Sequence, residues 1–496
     1  MRKLLALVVA LSFIAGPLFA TQTRVNSLGI QNWMIEEDDN LLWMNPARTA
    51  DYSKQVWVEA SDTLGVNVNG AAARNWGGVT GKCPIQDGAT IGLFVNRPYW
   101  GSMQNAVPAV EAAAMPGYFH TASPFTPNVG AGNPLPSANT QLDVNGAVAL
   151  PTRFELLYVL PSMGKMNVGA RLSSAGDTQN ESLKLVNNPG PGGDAEWTDN
   201  RSAQDTNVTV GAKISDAGPF AVLDAVVSLD MPSAKDTFTG DRYQNAVLGT
   251  IRKYDWELKV APSMNIGITA RGKLELKGNP LIVYLNYNNA DYTSDLTVKT
   301  DGNNNGDYID AGDTNYTQKR TQTQTTTMIG AAYNSQMSKK TLLIVGGGLR
   351  NQVTVYGLET TPADAAYGQA LVQEDCKTTT TNMQIGANIG VEHIVSKVVT
   401  GRLGVRQLIM ESNNIDLTDK AYSNSGTAFV QDAKADQTTL TENLGATVVT
   451  YGVGINVLQN LTIDALVAQE IQFTGGFIFS GVNQKYITQV TATYKF

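Results

Sequence analysis

Tyr486-Ile487-Thr488-Gln489-Val490-Thr491-Ala492-Thr493-Tyr494-Lys495-Phe496 ends the chain with two interleaved sets of side chains. Steps of two back from Phe496 collect Tyr494, Ala492, Val490, Thr488 and Tyr486, while the alternate set is Lys495, Thr493, Thr491, Gln489 and Ile487. A β-strand sends alternate side chains to opposite faces, so one face here is apolar with an aromatic ring at each end and the other is mostly polar. The rise from Tyr486 to Phe496 is roughly 33 Å, or about 25 Å of height at a tilt of about 40°. That matches the apolar band of an outer-membrane β-barrel between its two aromatic girdles. The competing reading of this segment alone is an edge strand of a soluble β-protein.

The opposite end agrees. Met1-Arg2-Lys3 is basic, residues 4–15 are apolar, and Gly16-Pro17-Leu18-Phe19-Ala20 follows. This pattern predicts a secretory signal peptide over residues 1–20, cleaved after Ala20. Its apolar core is too short to cross a bilayer as a helix, and no later stretch is long enough to do so. A terminal Phe after an alternating strand resembles the signal read by bacterial barrel-assembly machinery, which makes that machinery an expected partner alongside outer-membrane lipid. Apolar residues make up 42% of the chain, with 47 glycines. A barrel has this composition because only alternate residues meet lipid. The formal charge of −8 provides no basic stripe and excludes nucleic acid as a partner.

The middle of the chain repeats one rhythm: paired alternating segments, each pair joined by a short turn. Residues 154–160 turn at Pro161-Ser162-Met163-Gly164 into 166–172, and 207–214 turn at Ser215-Asp216-Ala217-Gly218 into 220–229. A long strand ending near Leu276 turns at Lys277-Gly278-Asn279-Pro280 into 281–288; similar pairs follow at 325–356, 382–409 and 445–473. Between pairs lie long polar stretches such as 173–205 and 412–437, read as loops. Short turns on one side and long loops on the other are the asymmetry of periplasmic and extracellular connections. The predicted fold is all-β: a transmembrane antiparallel β-barrel of 14–16 strands over residues 55–496, with hairpin counting favouring about sixteen. The weak points are residues 56–60 and the segment 253–276 with its internal Pro262.

Alternation also assigns faces. Met383, Ile385, Ala387, Ile389 and Val391 oppose Gln384, Asn388 and Glu392; Val399, Leu403 and Val405 oppose Thr400, Arg402 and Arg406; Trp256, Leu258 and Val260 oppose Glu257 and Lys259. A charge facing lipid costs about 2–4 kcal/mol at the midplane. Glu257, Lys259, Arg271, Glu392, Arg402 and Arg406 are therefore expected in the lumen, with Glu155, Arg171 and Glu275.

Residues 21–54 precede the first strand and show no strand alternation. They carry Glu36, Glu37, Asp38 and Asp39, and then Asn45-Pro46-Ala47. Pro46 fixes its own φ and biases Asn45 away from helix, while Asn45 can satisfy neighbouring backbone groups in the resulting bend. The acidic cluster, followed by Asn-Pro-Ala and then the first strand, resembles the N-terminal hatch of the outer-membrane long-chain fatty-acid transporter (FadL-type) family. That resemblance implies a fourteen-stranded barrel whose N-terminal segment folds into the lumen as a plug. It also implies a hydrophobic substrate captured at the outer lip. The acidic residues are expected to pair with Arg402 or Arg406; the alternative is a solvated periplasmic tether.

The stretch 99–139 is apolar for an outer loop. Val107, Val110, Met115, Phe119 and Phe125 there are candidate contacts for a small hydrophobic ligand, unless the loop packs on itself. Asp301, Asn303, Asn305, Asp307 and Asp313, with Gly306 between, match the first half of a calcium loop, although Asp313 sits one residue past the usual twelfth position. An Asn/Gly-rich hairpin tip explains the same residues without metal. No other cofactor is expected. Cys83 and Cys376 are placed at opposite membrane faces, beyond disulfide reach. The two histidines, His120 and His393, belong to no catalytic motif, so no enzyme activity is expected. Taken together, the residues predict a bacterial outer-membrane channel for passive uptake of small hydrophobic molecules through a plugged barrel. The rivals are a water-filled diffusion porin and a structural or adhesive surface protein.

Overall fold

The architecture comes from a computed structural model, which describes residues 22–36, 38–61, 75–95, 153–185, 195–245, 250–261, 263–301, 314–362, 373–424, 429–432, 437–443, 447–467 and 487–496. Seven strands follow in order: β1 (Gln55–Ser61), β2 (Asn75–Lys82), β3 (Thr90–Val95), β4 (Arg153–Val159), β5 (Met166–Leu185), β6 (Ala195–Ala217) and β7 (Phe220–Asn245). The next wall position is shared by β8 (Thr250–Val260) and β9 (Asn265–Leu276), both paired with β7 and with β10 (Asn279–Asp301). Then come β11 (Thr314–Ser338), β12 (Thr341–Pro362), β13 (Gln373–Ile394) and β14 (Val399–Asn424). One further position is divided among β15 (Phe429–Asp432), β16 (Gln437–Asn443) and β17 (Thr447–Asn456), and the wall ends with β18 (Leu461–Val467) and β19 (Ile487–Lys495). β19 pairs antiparallel with β1, Tyr494 opposite Val56 and Ala492 opposite Val58, which closes a sixteen-strand antiparallel barrel.

The connections β2–β3, β4–β5, β6–β7, β9–β10, β11–β12, β13–β14 and β17–β18 lie on one side and are all short. Residues 277–278 join β9 to β10 with φ of 51° at Lys277 and 75° at Gly278, both left-handed. Two successive positive φ values give the primed turn whose twist matches a tight hairpin, and glycine adopts that region without steric cost.

The outer face explains where the barrel resides. Val58, Val79, Leu93, Phe154, Leu172, Val210, Val227, Ile268, Leu285, Ile329, Val345, Ile389, Leu403 and Ile455 project outward from successive wall positions, each at least about a third exposed. A continuous apolar ring of this kind far exceeds what a protein leaves to water. Closure leaves no unpaired sheet edge, which is the condition for strands to cross hydrocarbon. The chain is a multi-pass β-barrel of the bacterial outer membrane.

Two expectations from the sequence are corrected here. The stretches 173–205 and 412–437 are not simply loops: β5 and β6 stay paired to Leu185 and Ala195, and β14 runs to Asn424. These extensions rise beyond the lipid, where both faces meet water and alternation has no cause. Secondly, Glu257 and Lys259 are not in the lumen. Val260 is opposite Ala234 and Asn265 is opposite Asp230, so β7 uses four steps where the β8–β9 segment uses five. One extra residue reverses which side chains face inward. Lys259 therefore lies opposite Lys235, on the outward face with Val227, and Glu257 pairs with Lys235 at 2.7 Å. Lys235 stands about 38 Å of height above Phe220, beyond an apolar band about 25 Å tall, so these charges meet no hydrocarbon.

Candidate functional site: the seated plug

Residues 22–36 and 38–54 pack inside the barrel and touch wall strands on several sides. A short helix, α1 (Gln22–Ser27), lies against β14, β17, β18 and β19. A 3-10 turn (Asn32–Met34) meets β10 and β11. A second short helix, α2 (Leu41–Met44), leads into a 3-10 helix (Pro46–Tyr52) against β3, β4, β5 and β6. The contacts fall within a few residues of the short turns, so the plug occupies that end of the lumen.

The local folding follows from side-chain chemistry. Asn45 is extended (φ −132°, ψ 110°), as a residue before proline prefers. Its Oδ1 accepts the Ala47 N–H at 3.0 Å, capping the helix that Pro46 opens. Its Nδ2 donates to the Ala212 carbonyl at 2.9 Å and to Asp224 Oδ1 at 2.8 Å, tying the bend to the wall. Leu42 inserts among Trp57, Trp76, Phe94 and Leu157, all buried. Trp33 stacks on Tyr284 with ring centroids 4.9 Å apart.

Two buried ion clusters hold the plug. In the first, Arg24 grips Glu392 through Nε and Nη2, both at 2.8 Å, and reaches Asp38 at 3.1 Å. Glu392 also accepts from Arg402 Nε at 2.7 Å, and Arg402 Nη1 reaches Asp464 at 2.6 Å. In the second, Arg48 forks onto Asp224 at 2.8 and 2.7 Å, and Arg271 reaches Glu36 at 2.5 Å and Asp224 at 3.5 Å. Arg271 also donates to the Trp33 and Ile35 carbonyls at 2.9 Å. Every side chain in these two clusters is at most 8% exposed. Buried charges persist only when paired in this way.

Electrostatics inside the plug are uneven. Burial pushes the Asp39 carboxyl well above the usual carboxylate range, and the neighbouring Asp38 pushes it further, against a hydrogen bond from Trp57 Nε1 at 2.8 Å. Asp38 is also raised, by burial first, with Arg24 opposing. Arg24 is held above its ordinary value: burial works against the charge, and the Glu392 and Asp38 carboxylates outweigh it.

The wall is shaped to receive the backbone. A Cβ built on Gly404 would stand 2.1 Å from the Leu28 carbonyl carbon, and one on Gly452 would stand 2.2 Å from the Ser27 Cβ. Only glycine leaves room for the plug to lie that close.

The structure places the residues singled out from sequence as follows. Glu36 pairs with Arg271 and Arg48, Asp38 with Arg24 of the plug itself, and Asp39 accepts from Trp57; none of these three reaches Arg402 or Arg406 directly. The expected direct pairing is thus replaced by a relay, Arg24–Glu392–Arg402. Asn45, Pro46 and Ala47 are buried together. Arg271, Glu392 and Arg402 are buried in the two clusters; Arg406 shares their inward face but is exposed in the lumen. Glu37, Val107, Val110, Met115, Phe119, Phe125, Asn303, Asn305, Asp307 and Asp313 lie outside the described residues, and Asp301 ends β10. Cys83 is a buried free thiol beside the β2–β3 turn. Sequence reasoning missed Arg24, Arg48, Asp224 and Asp464. The two aspartates carried a legible signal, a charge on the polar face of a strand; the two arginines had none.

No known family profile matches the chain, and no curated protein matches its sequence. Among solved structures it is similar to the ferric yersiniabactin uptake receptor FyuA from Yersinia pestis, at 9% identity over 90% of this chain and 80% of that one, with a TM-score of 0.34. It is similar to the alcaligin outer-membrane receptor FauA from Bordetella pertussis, at 10% identity over 90% and 76%, TM-score 0.30. A third is the ferric-catecholate import receptor Fiu from E. coli K12, at 10% identity over 90% and 82%, TM-score 0.31. The resemblance to FadL-type fatty-acid transporters is corrected by the barrel itself: the wall has sixteen strand positions against the fourteen that the resemblance implies.

Proposed function

We propose that the protein carries small hydrophilic solutes across the outer membrane through a lumen that its N-terminal plug closes until the plug shifts. The observation that carries this reading is the pair of buried ion clusters joining plug to wall on opposite sides. Apolar packing also seats the segment, around Trp33 and Leu42, but the charge pairs are discrete contacts that can be released one at a time. Above the plug the inward face of the wall carries the buried polar side chains Asn286, Asn288, Thr326, Gln322 and Thr354, an interior that favours a hydrated solute over the hydrophobic cargo suggested by residues 99–139. Passage down the solute's own gradient then needs only that the plug move.

Planar-bilayer recordings test the reading. The full chain is expected to conduct little, and a chain lacking residues 21–50 of the plug to conduct as a wide pore. Equal conductance of the two proteins sinks it. Swelling of loaded liposomes by neutral sugars, but not by fatty acids, is the expected selectivity of the plug-deleted barrel.

A further inference from the structure

Just above the plug, three adjacent strands present one row of inward side chains. Arg350 on β12 is directly opposite Gln384 on β13, and Gln384 is directly opposite Glu411 on β14. Their inward direction is fixed by register: Ile344 lies six residues before Arg350 and is buried against the plug, and Asn388 lies four residues after Gln384 and donates to the Gly29 carbonyl at 2.6 Å. Glu411 keeps step with Gln384 because one extra residue on β14, at Ile409, corrects its phase.

Each charge is held directly by amides, and the two charges attract each other across the row without touching. Gln384 Nε2 and Asn382 Nδ2 donate to the same oxygen of Glu411, Oε1, at 2.8 and 2.9 Å. Arg350 donates to Gln352 Oε1. Among the described residues neither Arg350 nor Glu411 forms an ion pair, and Arg350 is exposed to the lumen. The cation and the anion therefore stand two strands apart, about 10 Å between Cα atoms, and among the described residues Glu411 Oε2 and the Arg350 N–H groups that do not meet Gln352 make no hydrogen bond. One row below, Gly330, Gly348 and Gly386 occupy three consecutive strands; Trp33 of the plug fills the space at Gly330, while no plug atom is among the nearest neighbours of Gly348 or Gly386.

We infer that this row is a solute-binding site for a small zwitterion, an α-amino acid or short peptide, with Arg350 taking the carboxylate and Glu411 the ammonium group. Opposite charges fixed apart by amides, each with open hydrogen-bonding capacity, match a molecule that carries both charges at its two ends. A neutral sugar would use the amides and leave two charges unanswered. The inference rests on the transport reading, since it names the cargo of the same lumen.

Titration calorimetry of the detergent-solubilised full chain with glycylglycine tests it. Binding is expected for the wild type, at least tenfold weaker for R350Q and for E411Q, and absent for the doubly capped, uncharged analogue. The charge exchange R350E/E411R is expected to recover binding, since a zwitterion can dock reversed. Heat-modifiable migration verifies that each variant is folded. Binding of the capped analogue as tight as glycylglycine, undiminished binding in both single variants, or none in the wild type each overturn the site. A plug-deleted barrel that conducts while the full chain ignores glycylglycine removes the site and leaves transport standing; one that never conducts removes transport.

Discussion

Replacing Arg24 with methionine isolates the contribution of one plug–wall anchor. The guanidinium makes two bonds to Glu392 and one to Asp38, and its side chain is 7% exposed, against 6% and 0% for the two carboxylates. Methionine keeps much of the volume and none of the charge. It leaves Asp38 buried without its cation, while Glu392 keeps Arg402. Breaking a buried pair by removing one partner costs about 3–5 kcal/mol, much of it the stranded charge. At about 1.36 kcal/mol per factor of ten, the balance between seated and unseated plug moves by roughly two to four powers of ten. The wall itself is spared, because Arg402 still bridges Glu392 and Asp464. Single-channel recording is the assay: R24M is expected to show frequent long openings where the wild type stays closed. The double variant R24M/D38N, which removes the stranded carboxylate, is expected to recover a large share of closure. Closure of R24M indistinguishable from wild type, with the protein folded, would refute the argument that this ion cluster holds the plug.

Three further outcomes follow from the same geometry. Gly404→Leu places a side chain where the Leu28 backbone runs 2.1 Å from a Cβ position, and is expected to expel α1 and its following turn, read as raised conductance and as protease cleavage near residue 28; a closed, resistant variant would contradict the seating. Asp39 is raised in the seated plug, so the seat holds a proton that the unseated chain does not: its stabilisation is complete below the ordinary Asp value of about 3.9 and is lost as pH rises through the raised value. Open probability is therefore expected to increase with pH in that window, and D39N, which can still accept from Trp57, is expected to flatten the profile. Ile389→Lys on the lipid face is expected to cost about 2–4 kcal/mol near the midplane, whereas Lys259→Leu above the apolar belt stays within about 0.5 kcal/mol; urea unfolding from vesicles distinguishes the two, and equal costs would contradict the assigned faces.

The barrel was legible in the sequence wherever lipid lay on one side and water on the other. Alternation around Ile389 and Leu403 exists because hydrocarbon selects every second residue, so faces could be read from single strands such as β13 and β14. Their upper halves were not legible, because with water on both sides nothing enforces a pattern; β5 and β6 between residues 173 and 205 were read as loop for that reason. Local pattern also failed at Glu257 and Lys259, where one extra residue near Pro262 reversed the faces, a shift visible only against the neighbouring strands. Within the plug, the sequence determined the bend at Asn45-Pro46, since proline restricts its neighbour whatever surrounds it. Which charges meet was decided by the tertiary structure alone. Arg24 and Glu392 are 368 positions apart in the chain, and Arg48 and Asp224 are 176 apart. Pairing at that separation depends on barrel closure and on the path of the plug across the lumen. No local stretch of sequence encodes either.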